Sequence, residues 1–298
     1  MRTIRIGTRQ SALALAQAQM VQAALSRHGY RVELYPMTTA GDRMDQAMGR
    51  LEGQGWFTGE LERALVEGRI DLAVHSLKDV PTRLAEGMAI LAYSEREDPA
   101  DAFVPRIAGR RLDDLGPHPK VATASVRRAC WLKAHLSGVE VVPVRGNVPT
   151  RLAKLEAADW DGLILAAAGL VRLGLAERIG ERLDPRHWVP APGQGILAVE
   201  GRADDMFLRE ALAASVHHPG MAKVATAERA VLTALGGGCE LPLGAYAWID
   251  GGVLHLVAAL GNLTGQVQRE EEAAPLVGDG EGLGLRVGER LRRWREAG

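Results

Sequence analysis

TIRIGTRQSALALAQAQMVQAALSR (Thr3–Arg27), followed by RVELYPM (Arg31–Met37), reads as strand, helix, strand. Thr3–Thr8 alternates apolar and polar residues, which suits a half-buried strand. Ser11–Arg27 is rich in Ala, Leu and Gln and suits an amphipathic helix, with Ser11 a good N-cap. Arg31–Met37 returns as a second strand, so the chain opens on a βαβ unit. The rhythm continues outward from it. After a glycine-rich stretch, Thr58–Glu67 is helical and Ile70–His75 is an apolar strand. Strand Lys120–Thr123, helix Ser125–His135, strand Glu140–Val144, helix Val148–Ala157 and strand Gly162–Ala166 follow. The fold class expected is α/β with mostly parallel sheets.

Two turn-rich seams, Glu95–Ala100 and Trp188–Gly195, interrupt this rhythm. Beyond a helix at Ala222–Leu235 the character changes. Alternating runs at Leu243–Ile249, Val253–Leu260 and Gln266–Glu272, then a helix from about Glu281 to Arg295, predict a small antiparallel α+β domain. The expectation is three domains: 1–95 with 191–213, 96–190 inserted into it, and 214–298.

A chain of 298 residues with 47% hydrophobic and 24% charged residues is an ordinary globular composition. The formal net charge of −1 argues against a nucleic-acid surface as the main partner. Two cysteines provide no disulfide framework, which points to a reducing compartment. The first residues lack the compact apolar region of a signal peptide, and no apolar run is long enough to span a membrane. The expected location is the cytoplasm. Of 36 basic residues only five are lysines, so arginine abundance says little and arginine position has to carry the argument.

Ligands of α/β sheets bind at the carboxyl ends of strands. Those ends here hold Arg9 and Ser11, then Thr123, Ser125, Arg127 and Arg128, then Arg145 and Arg151. Helix N-termini and planar guanidinium donors suit anions, carboxylates above all. Phosphate stays open on these residues alone, because no Walker-type or GxGxxG loop settles the matter. HSLKDVPT (His75–Thr82) follows another strand and sets Lys78 beside Asp79, a carboxylate whose ionisation neighbouring cations can hold. His75 reads as a hydrogen-bonded core or hinge residue rather than a base, and no cysteine-protease signature supports a Cys239–His75 dyad. No His/Cys/Asp cluster has metal-ligand spacing, so no metal is expected. In GGGCELPLG (Gly236–Gly244), three glycines precede Cys239 and a proline follows it, which places the thiol on an uncrowded turn. Cys130, on the Arg127–Arg128 helix, reads as structural.

These segments together resemble the hydroxymethylbilane synthase (porphobilinogen deaminase) family over nearly the whole chain. IRIGTRQSALAL, HSLKDVPT, TASVRRACWL, VRGNVPTRLAKL, PAPGQGILAVEGR and GGGCELPLGAYA carry the resemblance in this order. It implies two lobes like those of a type 2 periplasmic binding protein, with a cleft between them and a third domain bringing Cys239 to its mouth. It implies a transferase that condenses four porphobilinogens head to tail, releasing ammonia and then a linear tetrapyrrole. It further implies a dipyrromethane cofactor held by a thioether to Cys239, with Asp79 as the catalytic residue. Lys78, Ser76, Thr123, Ser125, Arg127, Arg128 and Asp79 match cofactor-binding positions, and Arg9, Ser11, Arg145 and Arg151 match substrate-binding ones. The expected state is a monomer, with transient hand-over of product to uroporphyrinogen-III synthase. The rival reading is a non-catalytic organic-anion binding protein of the same two-lobed fold, which needs neither Asp79 nor a thiol.

The chain departs from the family's pattern at Gln54 and Gly59, where many relatives place lysine, and at Ala12, Ala122 and Ala124. Every expected catalytic position is intact.

Overall fold

Ser11 decides where the first helix begins. It is extended, and its Oγ accepts the Ala14 N–H at 3.4 Å, satisfying one of the free donors of α1 (Ala12–Arg27). The buried stripe of α1 runs through Ala14, Gln17, Ala18, Val21, Ala24 and Leu25, the spacing of one helix face. The helix connects β1 (Ile4–Arg9) to β2 (Val32–Met37), which pair in parallel with Ile4 opposite Val32. A computed structural model describes residues 2–38, 59–237, 241–262, 264–278 and 280–297.

By contacts the chain divides into two units, Met1–Glu97 with Ile196–Ala222, and Asp98–Gly195 with Lys223–Gly298. In the first unit α2 (Gly59–Val66) leads to β3 (Leu72–Ser76), parallel to β1, and β3 runs into a 3-10 turn at Leu77–Asp79. β4 (Met88–Tyr93) is separated from β3 by β10 (Leu197–Arg202), which is antiparallel to both. The order is β2-β1-β3-β10-β4. α1 and α6 (Met206–Ser215) cover one face around Ile4, Ile6, Leu72, Val199, Leu208 and Leu212, while Leu61 and Leu65 of α2 cover Ile70 and Ala73 on the other. Alternation along the strands supplies both faces.

The second unit repeats this plan. β5 (Asp101–Pro105), β6 (Lys120–Ala122), α3 (Val126–His135), β7 (Glu140–Val142), α4 (Val148–Ala157), β8 (Gly162–Ala166), α5 (Ala167–Arg172) and β9 (Glu181–Leu183) form a sheet of order β7-β6-β8-β5-β9. β6, β7 and β8 are parallel, and β5 opposes β8 and β9. In each sheet four strands therefore point one way and the crossing strand points the other. The same arrangement thus occurs twice, once in each unit.

The rest of the second unit is a small α+β layer. α7 (Pro219–Ala234) precedes the antiparallel meander β11 (Leu243–Asp250), β12 (Val253–Gly261) and β13 (Val267–Pro275), and α8 (Glu281–Ala297) closes it. Gly251 and Gly252 both have positive φ, 53° and 78°, as a two-residue hairpin turn requires. α8 rests on α7 through Gly284 and Gly288: a Cβ added at Gly284 would lie 2.6 Å from Ala230 Cβ. Phe103, Trp131, Val189, Val257 and Ala259 share one core, so β12 packs on α3. Cys130 belongs to that core, its Sγ donating to Asn262 O at 3.2 Å, and burial pushes its thiol up. Among the described residues no helix is long and apolar enough to cross a membrane.

Candidate active site

Because β1 and β3 are parallel neighbours, both end at the same edge of the first sheet. Their last residues and those just beyond meet there. Arg9 at the end of β1 and Ser11 beyond it, with Ser76 at the end of β3 and Asp79 beyond it, line one pocket of about 440 Å³, part of it open to solvent. Four residues singled out from the sequence are thus brought together. Asp79 is exposed on the 3-10 turn and is the only carboxylate in the lining, while Arg9 is the only guanidinium. Lys78 precedes Asp79 on the same turn. Gln17, on the inner face of α1, also lines the pocket and donates through Nε2 to Ser76 Oγ at 2.8 Å. His75 Nε2 lies 2.9 Å from Glu200 Oε2 of β10, and both side chains are buried.

The second unit is built around Asp101, the first residue of β5. Its fully buried carboxylate takes Arg127 Nη1 at 2.7 Å on one oxygen, and Arg128 Nε at 3.0 Å and Nη2 at 2.7 Å on the other. Trp188 Nε1 at 3.1 Å and Gln194 Nε2 at 2.9 Å complete the set. Burial alone would raise the Asp101 carboxyl; the two guanidiniums overcome it and hold the group well below the usual carboxylate range. Burial likewise pulls Arg127 down, against the attraction of Asp101.

Arg127 and Arg128 are therefore interior residues held by one carboxylate, whereas a strand-end position alone suggests open anion ligands. Two guanidiniums on one carboxylate leave a surplus positive charge inside the lobe. Arg128 spends Nε, Nη1 and Nη2 internally, the second on Ile164 O at 3.3 Å. Arg127 keeps Nε and Nη2 without a hydrogen-bond partner among the described residues. A cofactor carrying carboxylates fits that surplus and those donors. Beside them, Thr123 Oγ1 accepts the Ser125 N–H at 3.2 Å, and Ser125 Oγ caps α3 by accepting the Arg128 N–H at 3.4 Å. Arg145 is exposed, Arg151 Nε donates to Gly146 O at 2.6 Å, and neither joins Asp101.

Cys239 and Gln54 lie outside the described residues. On the near side of Cys239, α7 ends at Ala234, and Gly236 and Gly237 have φ of 85° and 71° with open space around Gly236. Gly59 opens α2. Among the described residues no group of His, Cys, Asp and Glu is placed to hold a metal.

Sequence reasoning missed Asp101, Gln194, Gln17 and Glu200. Gln17 was within reach, since a polar residue interrupts the Ala14–Ala18–Val21 stripe. Asp101 and Glu200 each sit in a short apolar run with partners far along the chain, and no local pattern marks them.

The chain was compared with known proteins. Residues 4–210 match the family model described as porphobilinogen deaminase, dipyromethane cofactor binding domain, and residues 222–293 match porphobilinogen deaminase, C-terminal domain. A porphobilinogen deaminase of Chromobacterium violaceum is 45% identical over 292 residues, covering 97% of this chain and 94% of that protein. Among solved structures, the methionine binding protein MetQ is 14% identical with a TM-score of 0.47, covering 71% of this chain and 89% of that one. A periplasmic substrate-binding protein of an ABC transporter from Coxiella burnetii is also 14% identical, with a TM-score of 0.44 and coverage of 71% and 91%. The match over nearly the full length decides the family: the chain belongs to the porphobilinogen deaminase family.

Proposed function

We propose that this chain condenses four porphobilinogen molecules head to tail, releasing one ammonia at each addition and then the linear tetrapyrrole hydroxymethylbilane, with the following residues in the following roles. Cys239 anchors a dipyrromethane through a thioether, a bond suited to a soft, nucleophilic thiolate and stable enough to outlast turnover. When bound, that group supplies a free pyrrole α position as the primer for growth. Ser76, Lys78, Asp79, Thr123, Ser125, Arg127 and Arg128 hold it. The surplus charge around Asp101 supports this for the two arginines, because each pyrrole carries an acetate and a propionate.

Arg9, Ser11, Arg145 and Arg151 hold substrate carboxylates, Ser11 doing so at the positive end of α1. Asp79 accepts hydrogen bonds from pyrrole N–H groups and opposes the positive charge that develops on the substrate as ammonia leaves. The observation that carries this reading is the single pocket in which Arg9, Ser11, Ser76 and Asp79 meet. A cation for the carboxylate end and a carboxylate for the N–H end of one small ring match an aminomethyl pyrrole. A plain anion binder has no use for Asp79 there.

Three domains, 1–95 with 191–213, 96–190 and 214–298, divide the work, the last carrying Cys239. The separate antiparallel sheet β11–β13 and the separate C-terminal family match support that division. The enzyme acts in the cytoplasm as a monomer and hands its product to uroporphyrinogen-III synthase.

Intact-mass measurement tests the reading. The purified chain should weigh more than 32.0 kDa by one dipyrromethane, and Cys239→Ser should abolish the increment. Active enzyme at the bare chain mass would overturn it.

A further inference from the structure

The pocket of the first unit contains a second titratable pair to which the roles above give no task. His75 lines the pocket with Asp79, and its Nε2 is bonded to Glu200. Its Nδ1 has no hydrogen-bond partner among the described residues. Glu200 is fully buried, and its Oε1 has no hydrogen-bond partner among the described residues. A buried carboxylate so sparsely satisfied is costly unless the one bond it makes is kept. The pair therefore fixes the imidazole at the edge of the pocket and leaves one ring nitrogen over as an acceptor.

The chemistry needs such a group. In each coupling porphobilinogen enters with its aminomethyl group as the ammonium ion; the C–N bond breaks and its electron pair leaves with ammonia. The methylene carbon then bonds to the free α carbon of the terminal pyrrole of the growing chain. That carbon gives up its hydrogen as a proton, the C–H electron pair returning to the ring. Each addition thus yields one ammonia and one proton. Asp79 already has the pyrrole N–H groups and the developing charge to meet in the roles given above. A guanidinium is a donor only, and Ser11, Ser76 and Gln17 do not accept protons near neutral pH. Of the groups lining the pocket, His75 is left.

We infer that His75 is the catalytic base that removes the pyrrole α-proton, and that Glu200 is a positioning residue that fixes the imidazole tautomer and balances its charge. With Nε2–H donated to Glu200, the lone pair of Nδ1 is free to accept. The proton then passes to ammonia, giving ammonium and restoring neutral His75. The charged groups bonded to His75 or lining the pocket with it are Glu200 from β10, Arg9 from β1 and Asp79 from the turn after β3, beside the neutral Ser11 that caps α1 and Gln17 within it. The inference rests on the functional reading above.

The test uses holoenzyme and porphobilinogen deuterated at its free α carbon. His75→Gln should lower kcat by about 10²-fold with KM nearly unchanged, and should enlarge the deuterium effect on kcat, because proton removal becomes limiting. Glu200→Gln keeps a partner for Nε2 without its charge. It should fall between wild type and His75→Gln in both kcat and the deuterium effect, since the imidazole keeps a partner but is held less firmly in the accepting tautomer. Wild-type kcat and isotope effect in His75→Gln would overturn the inference. Nitrogen-15 spectra of histidine-labelled wild-type holoenzyme need no variant: the neutral His75 ring should carry its proton on Nε2 and a bare lone pair on Nδ1, and the opposite tautomer would also overturn the inference. Intact mass separates the two levels. A His75→Gln chain that carries the dipyrromethane and couples at the wild-type rate refutes only this inference. A wild-type chain without the increment refutes the reading beneath it.

Discussion

Arg128 presents Nε and Nη2 to a single oxygen of Asp101, at 3.0 and 2.7 Å, and leaves the other oxygen to Arg127. One carboxylate thereby fixes two neighbouring guanidiniums in the interior. Asp101→Asn keeps the volume and removes the charge, leaving two buried cations uncompensated. We expect a loss of about 3–5 kcal/mol in stability, measured by urea unfolding. A loss under 1 kcal/mol, within the range of surface pairs, would contradict the central place given to Asp101.

Asp71 sets part of the acid sensitivity of the first unit. Burial acts to raise its carboxyl, but hydrogen bonds from Arg5 and Arg2 outweigh it and lower the pKa from 3.8 to about 2. A depressed carboxylate contributes stability that is present above its unfolded value and lost as pH falls through its folded value. The contribution is about 2 kcal/mol, complete above about pH 5 and lost towards pH 2. Asp71→Asn should flatten the stability profile over that window by this amount, as read from denaturant unfolding at several pH values.

Asp79 is exposed, so its removal should leave the fold intact. Asp79→Ala should unfold at the wild-type temperature and lose at least about 10²-fold in turnover, the scale for deleting one group that opposes transition-state charge. Steady-state ammonia release measures it. Wild-type turnover would remove Asp79 from its role.

The α7–α8 contact depends on having no side chain at Gly284. In Gly284→Ala the new Cβ meets Ala227 O and Ala230 Cβ, and the helices have to separate. A cost of about 1–3 kcal/mol is expected, against a small gain in helix propensity. Thermal unfolding of the variant checks it.

The elements legible in the sequence were those whose period is set locally. Ser11 and the stripe below it announce α1, and the turn residues Gly251 and Gly252 separate two alternating runs that become β11 and β12. MAILAY, DAFVP and LAVEGR became β4, β5 and β10, yet short apolar runs of this kind do not distinguish strand from buried helix. The candidate pocket was legible as far as strand-end residues reveal it, which covers Arg9, Ser11, Ser76 and Asp79. The deeper layer was not. Glu200 and Asp101 are set by partners more than twenty residues away, and only the folded chain brings these together.

β10 lies between β3 and β4 in space, yet β4 ends at Tyr93 and β10 begins at Leu197. On the ribosome the first lobe is therefore translated with a gap in its sheet. β3 has a bare edge and β4 has no partner strand until the intervening lobe has emerged, a wait on the order of ten seconds at ribosomal rates. The inserted lobe meets no such delay, because β5 to β9 run consecutively from Asp101 to Leu183. The order of closure is the reverse of the order of synthesis: the lobe begun second completes its sheet first. A nascent chain stalled near Gly195 would display an open strand edge, the kind of surface that invites chaperones or aggregation.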